Sequence, residues 1–153
     1  MDIQKKYSLT ENEIQQIKDL AYICGQQESL DYSSDLHINF LTNRNEDQIN
    51  DFLLYKGTQL IGALNIYDFE RPTKLELIGF VHPHFRKQQI GTNLLQTAMK
   101  EILSYMVYIL LAKGISTIEL EVETKNSNAL NLYTQCGFEI TKTHDYYNLL
   151  HKK

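Results

Sequence analysis

The stretch Val81-His82-Pro83-His84-Phe85-Arg86-Lys87-Gln88-Gln89-Ile90-Gly91-Thr92-Asn93-Leu94-Leu95, VHPHFRKQQIGTNLL, decides how the rest of the chain is read. An apolar run stops at Pro83, which cannot donate to a β-ladder. A short basic segment follows, and from Gly91 the apolar residues recur at helical spacing. The first four N–H groups of a helix have no intrahelical partner, and the helix dipole adds positive potential there. A strand passing through Arg86–Thr92 into such a helix start suits an anion such as a pyrophosphate. Gly91 permits close backbone approach and Thr92 adds a hydroxyl. An ordinary strand–helix turn with a solvated basic loop would look the same.

Upstream, KLELIGFV (74–81) reads as a strand, and DFLLYKGTQLIGALNIYDF (51–69) as two more. Lys56-Gly57-Thr58-Gln59 between the two apolar runs is a hairpin signal. Thr10-Glu11-Asn12-Glu13 is a capping box, followed by an apolar stripe of Ile14, Ile17, Leu20, Ala21 and Cys24. A second short helix is expected over Asp35–Thr42. Downstream, apolar positions from Leu94 to Leu110 keep helical spacing until Gly114, a C-terminal stop. STIELEVET (116–124) alternates strictly and predicts a strand, with a short helix over Asn128–Gln135 ended by Gly137. FEITKT (138–143) and YYNLLH (146–151) predict two final strands. The order is helices, then β-β-β-α-β-α-β-β: an α/β (α+β) fold with a mixed sheet and helices on its faces. Without repeats or linkers, residues 1–153 read as a single domain.

At 153 residues the chain can bury a core without disulfides. Its net charge of −4 argues against a general nucleic-acid binder. Cys24 and Cys136 form neither a metal-ligand spacing nor a disulfide framework, which suits a reducing cytoplasm. His82 and His84 flank a proline in a loop and share no helix face, so no metal site is expected. MDIQKKYSLT has no apolar signal core. Leu103–Ala112 (LSYMVYILLA) is too short to span a bilayer and reads as a buried helix, so no membrane partner is expected.

Two motifs carry a resemblance. One is V-x-P-x-x-R-x-x-x-I-G-x-x-L-L at 81–95. The other is N-x-x-A-x-x-L-Y-x-x-x-G-F, set by Asn126, Ala129, Leu132, Tyr133, Gly137 and Phe138. In this order, the pair resembles the GNAT superfamily of N-acetyltransferases. The resemblance implies a mostly antiparallel sheet flanked by helices, splayed between the strand ending at Val81 and the strand 117–124. It implies acetyl-CoA as the acetyl donor, with the backbone of Gly79, Phe80 and Val81 pairing with the pantetheine arm. Arg86, Lys87, Gln88, Gln89, Ile90, Gly91 and Thr92 would hold the pyrophosphate, mostly through N–H groups. Arg86 and Lys87 would add charge, although Lys87 also fits a solvated position. Gln89 stands where the family's usual Q/R-x-x-G-x-G/A pattern has its first glycine. Asn126 would touch the cofactor from the tip of the next strand, or serve only a local turn or helix entrance.

Tyr133 matches the position where many members place a tyrosine near the cofactor's sulfur. A phenol of pKa about 10 can protonate a departing thiolate. Tyr133 also belongs to an apolar stripe with Ala129, Leu132 and Cys136 that packing alone would explain; for Cys136 packing is the reading. An alkylammonium of pKa about 10.4 is only about 0.04% neutral at pH 7, so a base should assist. Glu76 lies near the family's catalytic glutamate, one residue closer to Val81, so a β-bulge would be needed to aim it. Glu119, Glu121 and Glu123 share one strand face, either solvated or supplying negative potential to a cationic acceptor. The family's acceptor side is built from N-terminal helices, here 10–50, where Tyr22, Asp31, Tyr32 and Asp35 form a cation-binding wall or plain surface. The implied activity is acetyl transfer to a primary amine, small-molecule or peptide, by direct attack in a ternary complex. The Val81 N–H would meet the developing oxyanion. The alternative is a non-catalytic acetyl-CoA-binding regulatory or interaction module. A homodimer would be in keeping with the family.

Overall fold

Thr10 and Glu13 close the expected capping box: the Glu13 N–H donates to Thr10 Oγ1 at 3.2 Å, and the Thr10 N–H to the Glu13 carboxylate at 2.8 Å. In the computed structural model, which describes residues 2–33, 35–44, 47–70, 74–114, 122 and 126–143, this box opens helix α1 (Glu11–Glu28). The helix buries Ile14, Ile17, Leu20, Ala21 and Cys24, the stripe that the spacing predicts. A cap contributes about 1 kcal/mol, whereas each fully buried Leu or Ile contributes about 1.5–3 kcal/mol, so the stripe dominates. Helix α2 (Ile38–Thr42) starts later than the expected Asp35.

Strands β2 (Asp51–Lys56) and β3 (Gln59–Glu70) form the hairpin, with Gly57 at φ 63° in its turn. Strand β4 (Lys74–Val81) has the expected bounds. An additional strand, β1 (Ile3–Lys6), pairs antiparallel with β2. It holds one apolar residue and two lysines, in keeping with an edge protected by charge; Lys5 pairs with Glu101, on the later helix Ile90–Ala112. The four strands lie in the order β1-β2-β3-β4, all antiparallel. The β2–β3 register slips between Leu54 and Tyr55, leaving Ile61 as the extra residue.

One face of this sheet packs α1 and α2 through Leu53, Ala63, Tyr67 and Phe80. The other packs helix α3 (Ile90–Ala112) through Phe52, Leu54, Leu64 and Ile66. Only Ile90, Leu94 and Ala98 of α3 are buried. Tyr105, Met106, Tyr108 and Leu111 are exposed, so Leu103–Ala112 is not the buried helix that its composition suggests. The reason is geometric: 23 residues rise about 35 Å, and the core formed by the described residues covers only the first turns. By length and composition alone α3 would also pass for a membrane span; Ile90, Leu94 and Ala98 near its start pack into the core.

Helix α4 (Ser127–Gln135) ends in a Schellman motif. The Phe138 N–H donates to Tyr133 O, and the Gly137 N–H to Thr134 O, both at 3.0 Å, with Gly137 at φ 90°. Phe138–Thr143 then has no regular secondary structure, contrary to the expected strand. A β-strand exists through its ladder partners, and no described strand pairs with this segment. The expected strands 117–124 (Val122 excepted) and 146–151, with Glu119, Glu121 and Glu123, lie outside the described residues.

Candidate active site

The end of β4 is aimed by its hydrogen-bond parity. The His82 N–H donates to Ile61 O at 2.9 Å, immediately beyond the Gly62↔Val81 pair. Neighbouring positions of an antiparallel ladder alternate between bonded and non-bonded pairs. Val81 and Gly79 therefore sit at non-bonded pairs, and their N–H and C=O groups face away from β3. Phe80 bonds inward. Among the described strands β4 is the sheet edge, so these outward groups line an edge.

Beyond β4, a 3-10 turn (Pro83–Phe85) leads into the helix entrance. Lys87, Gln88 and Gln89 are exposed, Ile90 is buried against the sheet, and Gly91 and Thr92 are exposed again. Lys87 and Gln89 both adopt positive φ, 62° and 60°. The Asn93 N–H makes the first intrahelical bond, to Gln89 O at 2.9 Å. The N–H groups of Ile90, Gly91 and Thr92 precede that bond, and no acidic residue sits in the first turn to neutralise them.

On the α1 face of β4 lies an open cleft of about 460 Å³, lined from α1 by Cys24 and Glu28, from the following loop by Tyr32 and Asp35, and from β4 by Glu76 through Val81. Arg86 completes the lining. Its Nε donates to Val81 O at 3.1 Å, and its Nη1 lies 2.6 Å from Glu28 Oε1. The other Glu28 oxygen accepts the Tyr32 hydroxyl, and Tyr32 sets its ring edge-on to Phe80 at 5.5 Å. Tyr32 and Arg86 together hold the Glu28 carboxyl below the usual carboxylate range. The Cys24 thiol donates to the same Val81 oxygen at 3.4 Å. Burial pushes this thiol up, which keeps it a neutral donor. Burial, reinforced by His84 and Arg86, pushes the His82 imidazole down.

Glu76 shares the cleft face with Phe80, and its carboxylate lies 3.6 Å from His37 Nε2. The β4 register is continuous from Glu76 to Val81; the only slip falls on β3, between Asp68 and Glu70. Tyr133 does not line the cleft: its half-buried ring meets Phe138 at 6.0 Å, edge to face. Asn126 is exposed at the entrance of α4, where its carbonyl accepts the Leu130 N–H at 3.0 Å. Of the suggested cation wall, Tyr32 and Asp35 reach the cleft, whereas Tyr22 is exposed and Asp31 caps Ser33. Glu28 and Cys24 escaped notice as site residues because helical spacing marks Cys24 as core and Glu28 as surface. Among the described residues no cluster of metal-ligating side chains occurs.

Residues 13–138 match the model of the acetyltransferase (GNAT) family, a span containing both motifs and every strand but β1 that frames the site. The chain belongs to the GNAT family. An aminoglycoside 6'-N-acetyltransferase solved in complex with coenzyme A is similar at 25% identity and a TM-score of 0.52, over 68% of this chain and 56% of its own. A GCN5-related N-acetyltransferase from Sphaerobacter thermophilus has a TM-score of 0.55 at 17% identity, over 87% of this chain and 42% of its own. The second likeness is one of fold alone. This GNAT chain thus spans about half the length of those two proteins. No curated protein sequence matches it significantly. The antiparallel sheet with flanking helices is the GNAT-like fold that the two motifs imply.

Proposed function

We propose that the chain is an acetyl-CoA-dependent N-acetyltransferase acting on a primary amine by direct attack in a ternary complex. One observation carries this reading: the outward N–H and C=O of Gly79 and the outward N–H of Val81 lead, through the Pro83–Phe85 turn, to an α3 entrance whose first turn carries no acidic residue. An extended amide arm can pair with the first element while its diphosphate occupies the second. The residues present fit such a donor. A Cβ on Gly91 would meet only Val81 Cγ2, at an ordinary 3.6 Å, so packing does not require glycine there. Its bare backbone serves close approach from outside.

In this reading the bound donor supplies an activated acetyl thioester, and the chain positions it and handles protons. The Val81 N–H donates to the thioester oxygen; a preorganised donor of this kind contributes roughly 3 kcal/mol to rate acceleration. Glu76 and His37 take the amine's proton. Glu76 lies five residues from Val81, roughly 16 Å along the strand, so the transfer runs through water. Tyr133 protonates the departing thiolate, which requires α4 to bring its hydroxyl towards β4. The carboxylates of Asp35 and Glu76 favour a cationic small-molecule acceptor, and the similarity to an aminoglycoside 6'-N-acetyltransferase puts such amines first among those to try.

Calorimetric titration with acetyl-CoA and with acetyl-pantetheine, which lacks the diphosphate and nucleotide, tests the donor seat. Micromolar binding of the first and much weaker binding of the second is expected. Equal affinity would mean that the α3 entrance holds no phosphate.

A further inference from the structure

We propose that Arg86 is a positioning residue for the reacting end of β4 and not a ligand of the pyrophosphate, an inference that rests on the acetyl-transfer reading above. Its place beside Lys87 at the head of the phosphate loop suggests the opposite. The guanidinium, however, lines the cleft with α1, donating to Val81 O at 3.1 Å and meeting Glu28 at 2.6 Å. The Glu28 carboxylate offsets the charge that a phosphate would attract, and Tyr32 holds that carboxylate from its other side.

The peptide unit between Val81 and His82 is consequently held at both ends. Its N–H donates to Ile61 O at 2.9 Å, while its C=O accepts from Arg86 Nε and from the Cys24 thiol at 3.4 Å. Pro83 narrows His82 further to extended conformations, and His82 has φ −51° and ψ 129°. These restraints matter because the Val81 C=O faces off the sheet beside the Val81 N–H. Unheld, that carbonyl would bring partial negative charge towards the place where an oxyanion develops. Two donors on it leave the neighbouring N–H as the group presented to the thioester oxygen. Arg86 acts through Val81, and Glu28 acts through Arg86.

Steady-state kinetics of Arg86→Gln, Arg86→Lys and Glu28→Gln, each with acetyl-CoA and with acetyl-pantetheine, test this assignment. Both Arg86 variants should lower kcat about ten-fold with either donor, with the KM for acetyl-CoA within about two-fold of wild type. Lysine should not rescue, because an ammonium cannot reproduce the planar fork that spans Val81 and Glu28. Glu28→Gln should also lower kcat, and offers a second route if the Arg86 variants fold poorly. The inference is overturned if Arg86→Gln raises the KM for acetyl-CoA while sparing acetyl-pantetheine, if Arg86→Lys restores activity, or if Glu28→Gln tightens acetyl-CoA binding by freeing the guanidinium. Absence of turnover in the wild type with every amine is a different result. It would refute the acetyl-transfer reading and this inference with it.

Discussion

A Cβ on Gly62 would stand 2.9 Å from Cγ2 of Ile90 and 3.0 Å from Cδ1 of Leu94. Gly62 is also the partner of Val81 in the β3–β4 ladder. One glycine therefore sets how closely the α3 entrance sits to the strand end that presents the reacting N–H. Ile90 is β-branched and stiff at χ1, so it cannot easily turn away. Gly62→Ala should destabilise the fold by about 1–3 kcal/mol and weaken acetyl-CoA binding, measured by thermal melting and titration. An unchanged melting temperature would show slack between strand and helix that this packing does not contain.

Gln89 enters α3 at φ 60°, a left-handed conformation costing a non-glycine residue about 1–2 kcal/mol. Glycine at the family's usual position would relieve this strain. Gln89→Gly should raise stability by up to about 1 kcal/mol, the gain being reduced by glycine's greater freedom in the unfolded chain. Acetyl-CoA affinity should stay equal or improve modestly. A large loss of affinity would mean that the glutamine side chain itself holds the donor.

The bounds of β4, the capping box of α1, and the turns at Gly57, Gly114 and Gly137 were legible in the sequence because each rests on local chemistry. All three glycines take positive φ. Strand β1 was not legible: IQKK has almost no apolar alternation, and its pairing depends on the distant β2. The Arg44–Asp51 pair was equally hidden. Both side chains are buried; Arg44 Nε donates to Asp51 at 3.0 Å, and Asn65 adds a bond at 2.8 Å. Burial pushes the Asp51 carboxyl up while Arg44 opposes it. In sequence, however, Arg44 stands in a polar stretch and Asp51 at the head of a strand, and no spacing rule pairs them. The backbone aim of Gly79 and Val81 follows from strand parity, whereas the turn of Arg86 towards Glu28 depends on how α1 crosses the sheet. No spacing rule encodes that crossing.

The Glu28 carboxyl is depressed by hydrogen bonds from Tyr32 and then Arg86, relative to an ordinary value of 4.5. A depressed carboxylate contributes stability fully above its unfolded value and loses it as pH falls through the folded one. The stability difference between wild type and Glu28→Gln should therefore be constant above about pH 5.5 and shrink below 4.5. Thermal melts across that range check it. A difference that grows on acidification would contradict the Tyr32–Glu28–Arg86 link.

Tyr133 keeps its ring against Phe138, a contact that phenylalanine preserves. Tyr133→Phe should thus melt like wild type and bind acetyl-CoA comparably, while turnover falls roughly ten-fold or more through loss of the acid. Unchanged turnover would leave Tyr133 with packing as its only role.

The central claim is that this chain moves an acetyl group from a thioester to an amine. It is tested most directly by following thiol release from acetyl-CoA across a panel of primary amines (aminoglycosides, polyamines, amino acids and peptides), with the mass of the product measured. At least one amine should gain a single acetyl group in step with thiol release. Tight acetyl-CoA binding with no acetylated product from any amine would contradict the account and leave a binding module in its place.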